Sequence, residues 1–200
     1  MSWILTQGCH AVDLQRPEPH LITAPDIAHS LAQINRFTGH ARRPYSVAEH
    51  SLLVLEIVQR LFAVDVHGQL AALMHDAHEA YVGDMSTPAK GVVGECWQHM
   101  EDRAQRAVRS AFGLHSAAHV WRDWIKQADT IALATERVQL LPEGGPLWQS
   151  LVHVMPCNWI DLMAPERLAM SWADWRDRWA DAYDELDFAR NDKVFAVVQP

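Results

Sequence analysis

Four ionisable side chains, His75, Asp76, His78 and Glu79, stand inside one apolar segment, and a fifth, Asp84, follows its closing Gly83. Their neighbours include Leu70, Leu73, Met74 and Tyr81. Polar groups in such company are costly to bury unless something pairs with them. On a helix, His75 and Glu79 are four residues apart and Asp76 and Glu79 three apart, so they crowd one face. An adjacent His-Asp pair offers one nitrogen and one oxygen ligand to the same cation. The chemistry to expect is that of a catalytic metal centre whose remaining ligands come from elsewhere in the chain.

The pattern of apolar residues and breakers predicts the elements that position these groups. Gly8, Pro17 and Pro19 make residues 1 to 22 irregular, with a short extended piece around Trp3 to Thr6. A first helix follows Thr23, with Pro25 and Asp26 in its opening turn, Ile27, Leu31 and Ile34 as its buried stripe, and Gly39 as its stop. Arg36 and Phe37 then fall in its last turn. Ser46-Val47-Ala48-Glu49 matches a capping box and starts a second helix with the stripe Val54, Ile57 and Leu61. His50 is four residues before Val54 and points inward with it.

Gly68 breaks the chain before a third helix, Gln69 to Val82, which carries the opening motif. Asp84 to Lys90 reads as a loop. A fourth helix runs from about Glu95 to Ala111, with Trp97, Met100, Ala104, Ala107 and Val108 inward. A fifth runs from about Ala117 to Leu141, with Asp129 among Ile125, Ala128 and Ala132. Glu143 to Pro146 is a turn, and Leu147 to Ile160 is ambiguous between short helix and loop. A last helix, Pro165 to Leu186, spaces Leu168, Trp172, Trp175, Trp179, Ala182 and Leu186 by threes and fours. No repeat or linker divides the chain. The expectation is a single all-α domain over residues 1–200, a bundle of about six main helices with its core at about 23–141 and an amphipathic helix at about 165–186 packed on it.

The composition excludes several function classes. The apolar fraction is 49% and the charged fraction 21%, as in globular proteins. No stretch has the length and apolarity of a transmembrane helix, and the first residues do not read as a signal peptide. Three scattered cysteines, Cys9, Cys96 and Cys157, speak against a disulfide framework and a cysteine zinc site. A cytoplasmic location is expected. A net charge of -8 disfavours nucleic-acid polymers as partners, but a local group of arginines can still receive a small anion.

The inward-facing ionisable residues are therefore His50, His75, Asp76 and Asp129, from three helices. Two imidazoles and two carboxylates suit a divalent ion, with Mn²⁺, Co²⁺, Zn²⁺ and Mg²⁺ as candidates. The set His50 … His75-Asp76 … Asp129 resembles the HD-domain metal-dependent phosphohydrolase superfamily. Ser46-Val47-Ala48-Glu49-His50-Ser51, His75-Asp76-Ala77-His78-Glu79, Gly83-Asp84, Thr87-Pro88-Ala89-Lys90 and Lys126-Gln127-Ala128-Asp129 resemble its branch of bacterial 5′-deoxynucleotidases and phage deoxyadenosine triphosphate triphosphohydrolases. The resemblance covers roughly residues 25 to 140.

It implies an all-helical fold and hydrolysis of a deoxynucleotide, either a 5′-monophosphate to nucleoside and phosphate or a triphosphate to nucleoside and tripolyphosphate. It also implies catalytic roles for Glu79, which handles the attacking water, and for Asp84, near the sugar and scissile phosphate. Arg36 and Phe37 match an arginine-aromatic pair that flanks the nucleotide, although the family more usually carries tryptophan in the second place. Arg42, Arg43 and Lys90 are either further substrate contacts or solvated surface charge, and His78 is read as structural. Relatives tend to be homo-oligomers, and the aromatic C-terminal helix offers a surface for that. Within the same chemistry, an alarmone or a cyclic nucleotide is the rival substrate. A non-catalytic nucleotide-binding protein is the rival of a different class.

Overall fold

A computed structural model describes residues 2–197, with side chains to residue 192. These residues are mostly helical. Ten α-helices follow one short hairpin, in which β1 (Trp3–Leu5) pairs antiparallel with β2 (Ala11–Asp13), placing Ile4 opposite Val12. The hairpin loop is tied to the first helix, α1 (Ala24–Leu31), by one buried carboxylate. Asp26 accepts from Thr6 Oγ1 at 2.8 Å and Gly8 N at 2.6 Å, and lies 2.8 Å from His10 Nδ1. The Thr23 side chain caps α1 by accepting from Asp26 N.

The central element is α2 (Val47–Leu61). Ser46 caps it by accepting from Glu49 N at 3.1 Å. The second half of the expected capping box is missing, because Glu49 is drawn instead to two arginines. On one side α2 packs against α3 (Val66–Leu73), and on the other against α8 (Arg122–Gln139). The last helix, α10 (Trp172–Val197), lies on α1, α2 and α3. Its Trp175 and Trp179 enter the core with Ile27, Leu31, Val47 and Leu70. A second apolar cluster joins Leu53, Val54 and Ile57 of α2 to Ile125, Ala128 and Ala132 of α8.

Expected long helices are broken in several places, and each break has a local cause. The first helix stops at Leu31 rather than Gly39. Asn35 bridges to Ser46, and Arg36–Gly39 form a separate tight turn in which Phe37 (φ 56°), Thr38 (φ 53°) and Gly39 (φ 77°) are left-handed. Gly68 does not end a loop. It lies inside α3, where a Cβ would stand 2.4 Å from Trp121 and Val64 atoms, so glycine is needed for close packing. The expected third helix is interrupted after Leu73 and resumes as α4 (Glu79–Val82).

The presumed loop before residue 90 contains α5 (Thr87–Val93), with Pro88 in its first turn. Gly94 (φ 71°) separates it from α6 (Glu95–Ala111), whose bounds are those expected. The expected fifth helix divides at Trp121 into α7 (His115–Val120) and α8. The expected last one divides before Ser171 into α9 (Pro165–Leu168) and α10. Leu61, assigned to the core stripe of α2, is 47% exposed, and Leu168 and Trp172, on the apolar face of the expected last helix, are 50% and 43% exposed. The stretch 147–160 is largely irregular, with one turn of 3-10 helix at Gln149–Leu151. No helix of the described residues is long and apolar enough to cross a membrane.

Candidate metal centre

The break between α3 and α4 shapes the site. From Met74 to Tyr81 the backbone tightens into hydrogen bonds three residues apart, including His75 N to Ala72 O, Ala77 N to Met74 O and Glu79 N to Asp76 O. In this winding, residues three apart eclipse one another. Asp76 and Glu79 therefore share a face more closely than in an α-helix, and the Asp76 charge helps raise the Glu79 pKa.

Three of the four expected ligands, His50, His75 and Asp76, converge, and the fourth, Asp129, approaches His50. His50 Nε2 lies 3.3 Å from His75 Nε2, 3.5 Å from Asp76 Oδ2 and 3.4 Å from Asp129 Oδ1, and His75 Nε2 lies 3.1 Å from Asp76 Oδ2. An ion with ligands at about 2.0–2.1 Å separates neighbouring ligand atoms by roughly 3.0 Å in an octahedron and 3.4 Å in a tetrahedron. Three of the observed spacings fall in that range, and the His50–Asp76 distance of 3.5 Å is just above it.

The outer nitrogens give a second test of fit. His75 Nδ1 is 2.8 Å from Ala72 O, which requires that nitrogen to donate. His50 Nδ1 is 2.6 Å from Glu136 Oε1. Both Nε2 atoms are thus turned toward each other and toward two carboxylates, with outer partners of the kind that orient metal-binding histidines. Burial and Arg36 oppose charging His50, but Glu136 and Asp129 outweigh them and raise its pKa to about 9. Burial would raise the Asp76 carboxyl, yet His75 and His50 hold it well below the usual range.

Glu136 is the main residue that the sequence reading missed. It is fully buried on α8 and gathers three donors: His50 Nδ1, Tyr45 Oη at 2.9 Å and Arg36 Nη2 at 3.2 Å. Its signal was its place two helical turns after Asp129, on the same face. Tyr45, left between a pocket role and a packing role, is a buried partner of Glu136.

Arg36 bridges Glu136 and Asp76, with Nη1 3.7 Å from Asp76 Oδ2. Its guanidinium therefore stands at the edge of the ligand set. It reaches that place from the left-handed turn, not from the end of α1. Phe37 follows it in a backbone conformation that bulky residues rarely adopt, a form of strain often found at ligand sites. Its ring is 6.4 Å from that of Trp148, and the Arg36 guanidinium lies 5.4 Å from the Phe37 centroid.

Glu79 is 4% exposed, and its Oε2 has no hydrogen-bond partner. Burial, reinforced by Asp76 and Asp84, pushes its pKa up to about 10. Asp84 is also raised, first by burial and then by Asp76, with Arg36 opposing. Gly83 (φ 83°) makes the turn that releases Asp84 from α4.

Lys90 donates to Glu101 Oε1 at 2.6 Å and helps hold down the Glu79 pKa. His78 is buried beside the same carboxylate, 3.4 Å from Glu101 Oε1. His78, Glu79 and Glu101 therefore form a second titratable cluster next to the first. Nothing in the sequence tied Glu101 to it, because the contact crosses from α4 to α6.

Arg43 is a correction. It makes a two-pronged pair with Glu49, at 2.7 and 2.6 Å, and donates to Leu162 O. Arg167 of α9 reaches the same Glu49 at 2.9 Å. The Arg43 side chain expected at a substrate is thus taken up by the buried Glu49 and Leu162 O, and it fastens the C-terminal segment.

No protein-family model matches the chain. Over 144 residues it is 42% identical to an uncharacterised protein of Rhodobacter capsulatus, a match covering 70% of this chain and 73% of that one. Over 130 residues it is 39% identical to the uncharacterised protein YfdR of Escherichia coli, covering 65% and 67%. The chain belongs to their family. Both relatives are described as uncharacterised, so the kinship assigns no chemistry, and function is argued from the site alone.

Proposed function

We propose that this protein is a metal-dependent phosphohydrolase of the HD-domain kind, acting on a nucleotide and most simply a deoxynucleotide. One observation carries the reading: His50 Nε2, His75 Nε2 and Asp76 Oδ2 converge at 3.1–3.5 Å, close enough to share one ion, with Asp129 Oδ1 3.4 Å from His50 Nε2 as the fourth candidate. A divalent ion held by these four would make a water more acidic and neutralise charge on a phosphate.

The chain's own groups supply the rest. Arg36 is permanently charged and is fixed by Glu136 and Asp76, so its guanidinium is set in advance against phosphate oxygens. Phe37 offers an aromatic face to a base or sugar, without the N–H that tryptophan would add. Glu79 has an oxygen with no partner among the described residues, which could orient the attacking water. The charge that raises the Glu79 pKa would be offset by a divalent ion beside Asp76, and the ionised carboxylate could then take the water's proton. The water oxygen bonds to phosphorus while the bond from phosphorus to the sugar 5′ oxygen breaks. The 5′ oxygen needs a proton, and Asp84, whose pKa burial raises, is suited to donate it.

The test is a panel of deoxy- and ribonucleoside mono- and triphosphates, incubated with Mn²⁺, Co²⁺, Mg²⁺ or Zn²⁺ and resolved by chromatography. Release of a nucleoside is expected, and its loss in Glu79→Ala. Inertness toward the whole panel, or a Glu79→Ala protein working at the parent rate, would overturn the reading.

A further inference from the structure

Two helical turns after Asp129, α8 places another carboxylate behind the metal ligands rather than among them. Glu136 is fully buried, and its two oxygens serve different neighbours. Oε1 accepts from His50 Nδ1 at 2.6 Å and from Tyr45 Oη at 2.9 Å. Oε2 accepts from Arg36 Nη2 at 3.2 Å. One oxygen thus reaches the outer nitrogen of a metal ligand, and the other reaches the guanidinium at the edge of the ligand set.

Tyr45 closes this arrangement. Its carbonyl accepts from Arg36 N at 2.9 Å, while its hydroxyl donates to Glu136. Arg36 is therefore held at both ends, its backbone by Tyr45 and its fork by Glu136. That grip keeps the guanidinium turned inward from a turn in which Phe37 and Thr38 are left-handed. The simpler reading is an ion pair that pins α8 to Arg36, since a buried carboxylate needs a partner. It accounts for Oε2 and leaves Oε1 unexplained. An ionised carboxylate can only accept, so His50 Nδ1 must carry a proton and Nε2 is the nitrogen left to an ion. Nε2 is also the atom that faces His75 and Asp129, at 3.3 and 3.4 Å.

We propose that Glu136 is the positioning residue of this centre, a single carboxylate that sets both the ion-facing nitrogen of His50 and the phosphate-facing fork of Arg36. It touches neither ion nor substrate and acts through those two side chains, with Tyr45 as its brace. This rests on the proposed hydrolase reading and adds the residue that ties its metal half to its phosphate half. Glutamine at this place breaks the tie, because it offers one accepting oxygen, one donating amide and no charge. Turned toward His50, the amide makes Nδ1 the acceptor and moves the ring proton to Nε2, where an ion would bind. Turned toward Arg36, it sets donor against donor. In both orientations the charge that His50 and Arg36 share is gone.

The two halves can be read separately in the full chain, without turnover. Mn²⁺ affinity comes from titration followed by electron paramagnetic resonance, and orthophosphate affinity from calorimetry at saturating Mn²⁺. Glu136→Gln should weaken Mn²⁺ binding by about 10–100-fold. It should weaken orthophosphate binding by about tenfold or more, as expected for a lost charge-assisted contact. NMR of the Zn²⁺-loaded parent, with isotopically labelled histidine, should show His50 and His75 bound through Nε2 and protonated at Nδ1. The His50 signal should shift or vanish in Glu136→Gln. If that variant does not fold, Glu136→Asp keeps the charge, draws the carboxylate back by one methylene and should lower both affinities. A folded variant that keeps the parent's affinity for either probe marks a carboxylate of structural use only and overturns the proposal, as does a parent that binds no orthophosphate. Both losses in a protein that hydrolyses no nucleotide overturn the hydrolase reading and spare the role of Glu136. Nucleotide hydrolysis with both affinities undiminished in the variant overturns that role and spares the hydrolase reading.

Discussion

Replacing Glu79 by glutamine removes a carboxyl group that the metal-free fold keeps protonated. Its ordinary value of 4.5 rises to about 10 because burial is joined by the charges of Asp76 and Asp84. Below pH 4.5 the folded and unfolded chains both hold the proton, and the group does not affect stability. Between the two values only the unfolded chain has lost it. Folding then costs about 1.4 kcal/mol more for each pH unit. At pH 7.5 the cost reaches about 4 kcal/mol. Glutamine has the same shape and no charge to lose, so it removes this cost.

In chelator-treated protein at pH 7.5, Glu79→Gln should therefore be the more stable chain by up to about 4 kcal/mol. Its Tm should rise by roughly 2–4 °C per kcal/mol for a protein of this size. Thermal unfolding from pH 5 to pH 8.5 should show the two proteins diverging steadily as pH rises. The same substitution should lower nucleotide hydrolysis by at least about a hundredfold. Equal slopes with pH, or a less stable variant, would refute the assignment of Glu79 as a buried, proton-holding carboxyl.

Three further outcomes are expected. Because an ion must displace the proton from His50, whose pKa is raised to about 9, metal affinity should fall about tenfold per unit as pH drops below that value; calorimetry in buffers of different ionisation enthalpy should find about one proton released at pH 7.5. Gly68→Ala would drive a methyl group to within 2.4 Å of Trp121 and Val64 atoms, and urea unfolding should show a loss of about 1–3 kcal/mol. Arg43→Ala leaves the buried Glu49 with Arg167 alone; it should cost about 3–5 kcal/mol in the same assay and leave KM of the folded protein for nucleotide unchanged.

Local signals in the chain were read well where a short-range cause decides the structure. Ser46 caps α2, His50 follows inward on its stripe, and Glu95–Ala111 ends where Gly113 turns left-handed. The meeting of His50, His75 and Asp76, with Asp129 against His50, was also legible, because ionisable residues on apolar stripes have few other reasons to be there. What escaped is decided at longer range. The tightening after Leu73 was hidden by helix-forming residues, since nothing between His75 and Tyr81 breaks a helix by itself. Gly68 looks like punctuation until Trp121 is seen against it. Glu49 was taken for half of a capping box, but two arginines 6 and 118 residues away compete for it. Glu136 acts across helices, and its partners Arg36, Tyr45 and His50 are invisible in its own neighbourhood.

The most direct measurement is the count of ions held by the chain. Dialysis of the purified protein against Mn²⁺, followed by elemental analysis and electron paramagnetic resonance, should give one tightly held ion per chain. His75→Ala and Asp129→Asn should each lose it, while Arg43→Lys retains it. No bound ion in the parent protein, or undiminished binding in both ligand variants, would contradict the placement of a metal centre at His50, His75, Asp76 and Asp129.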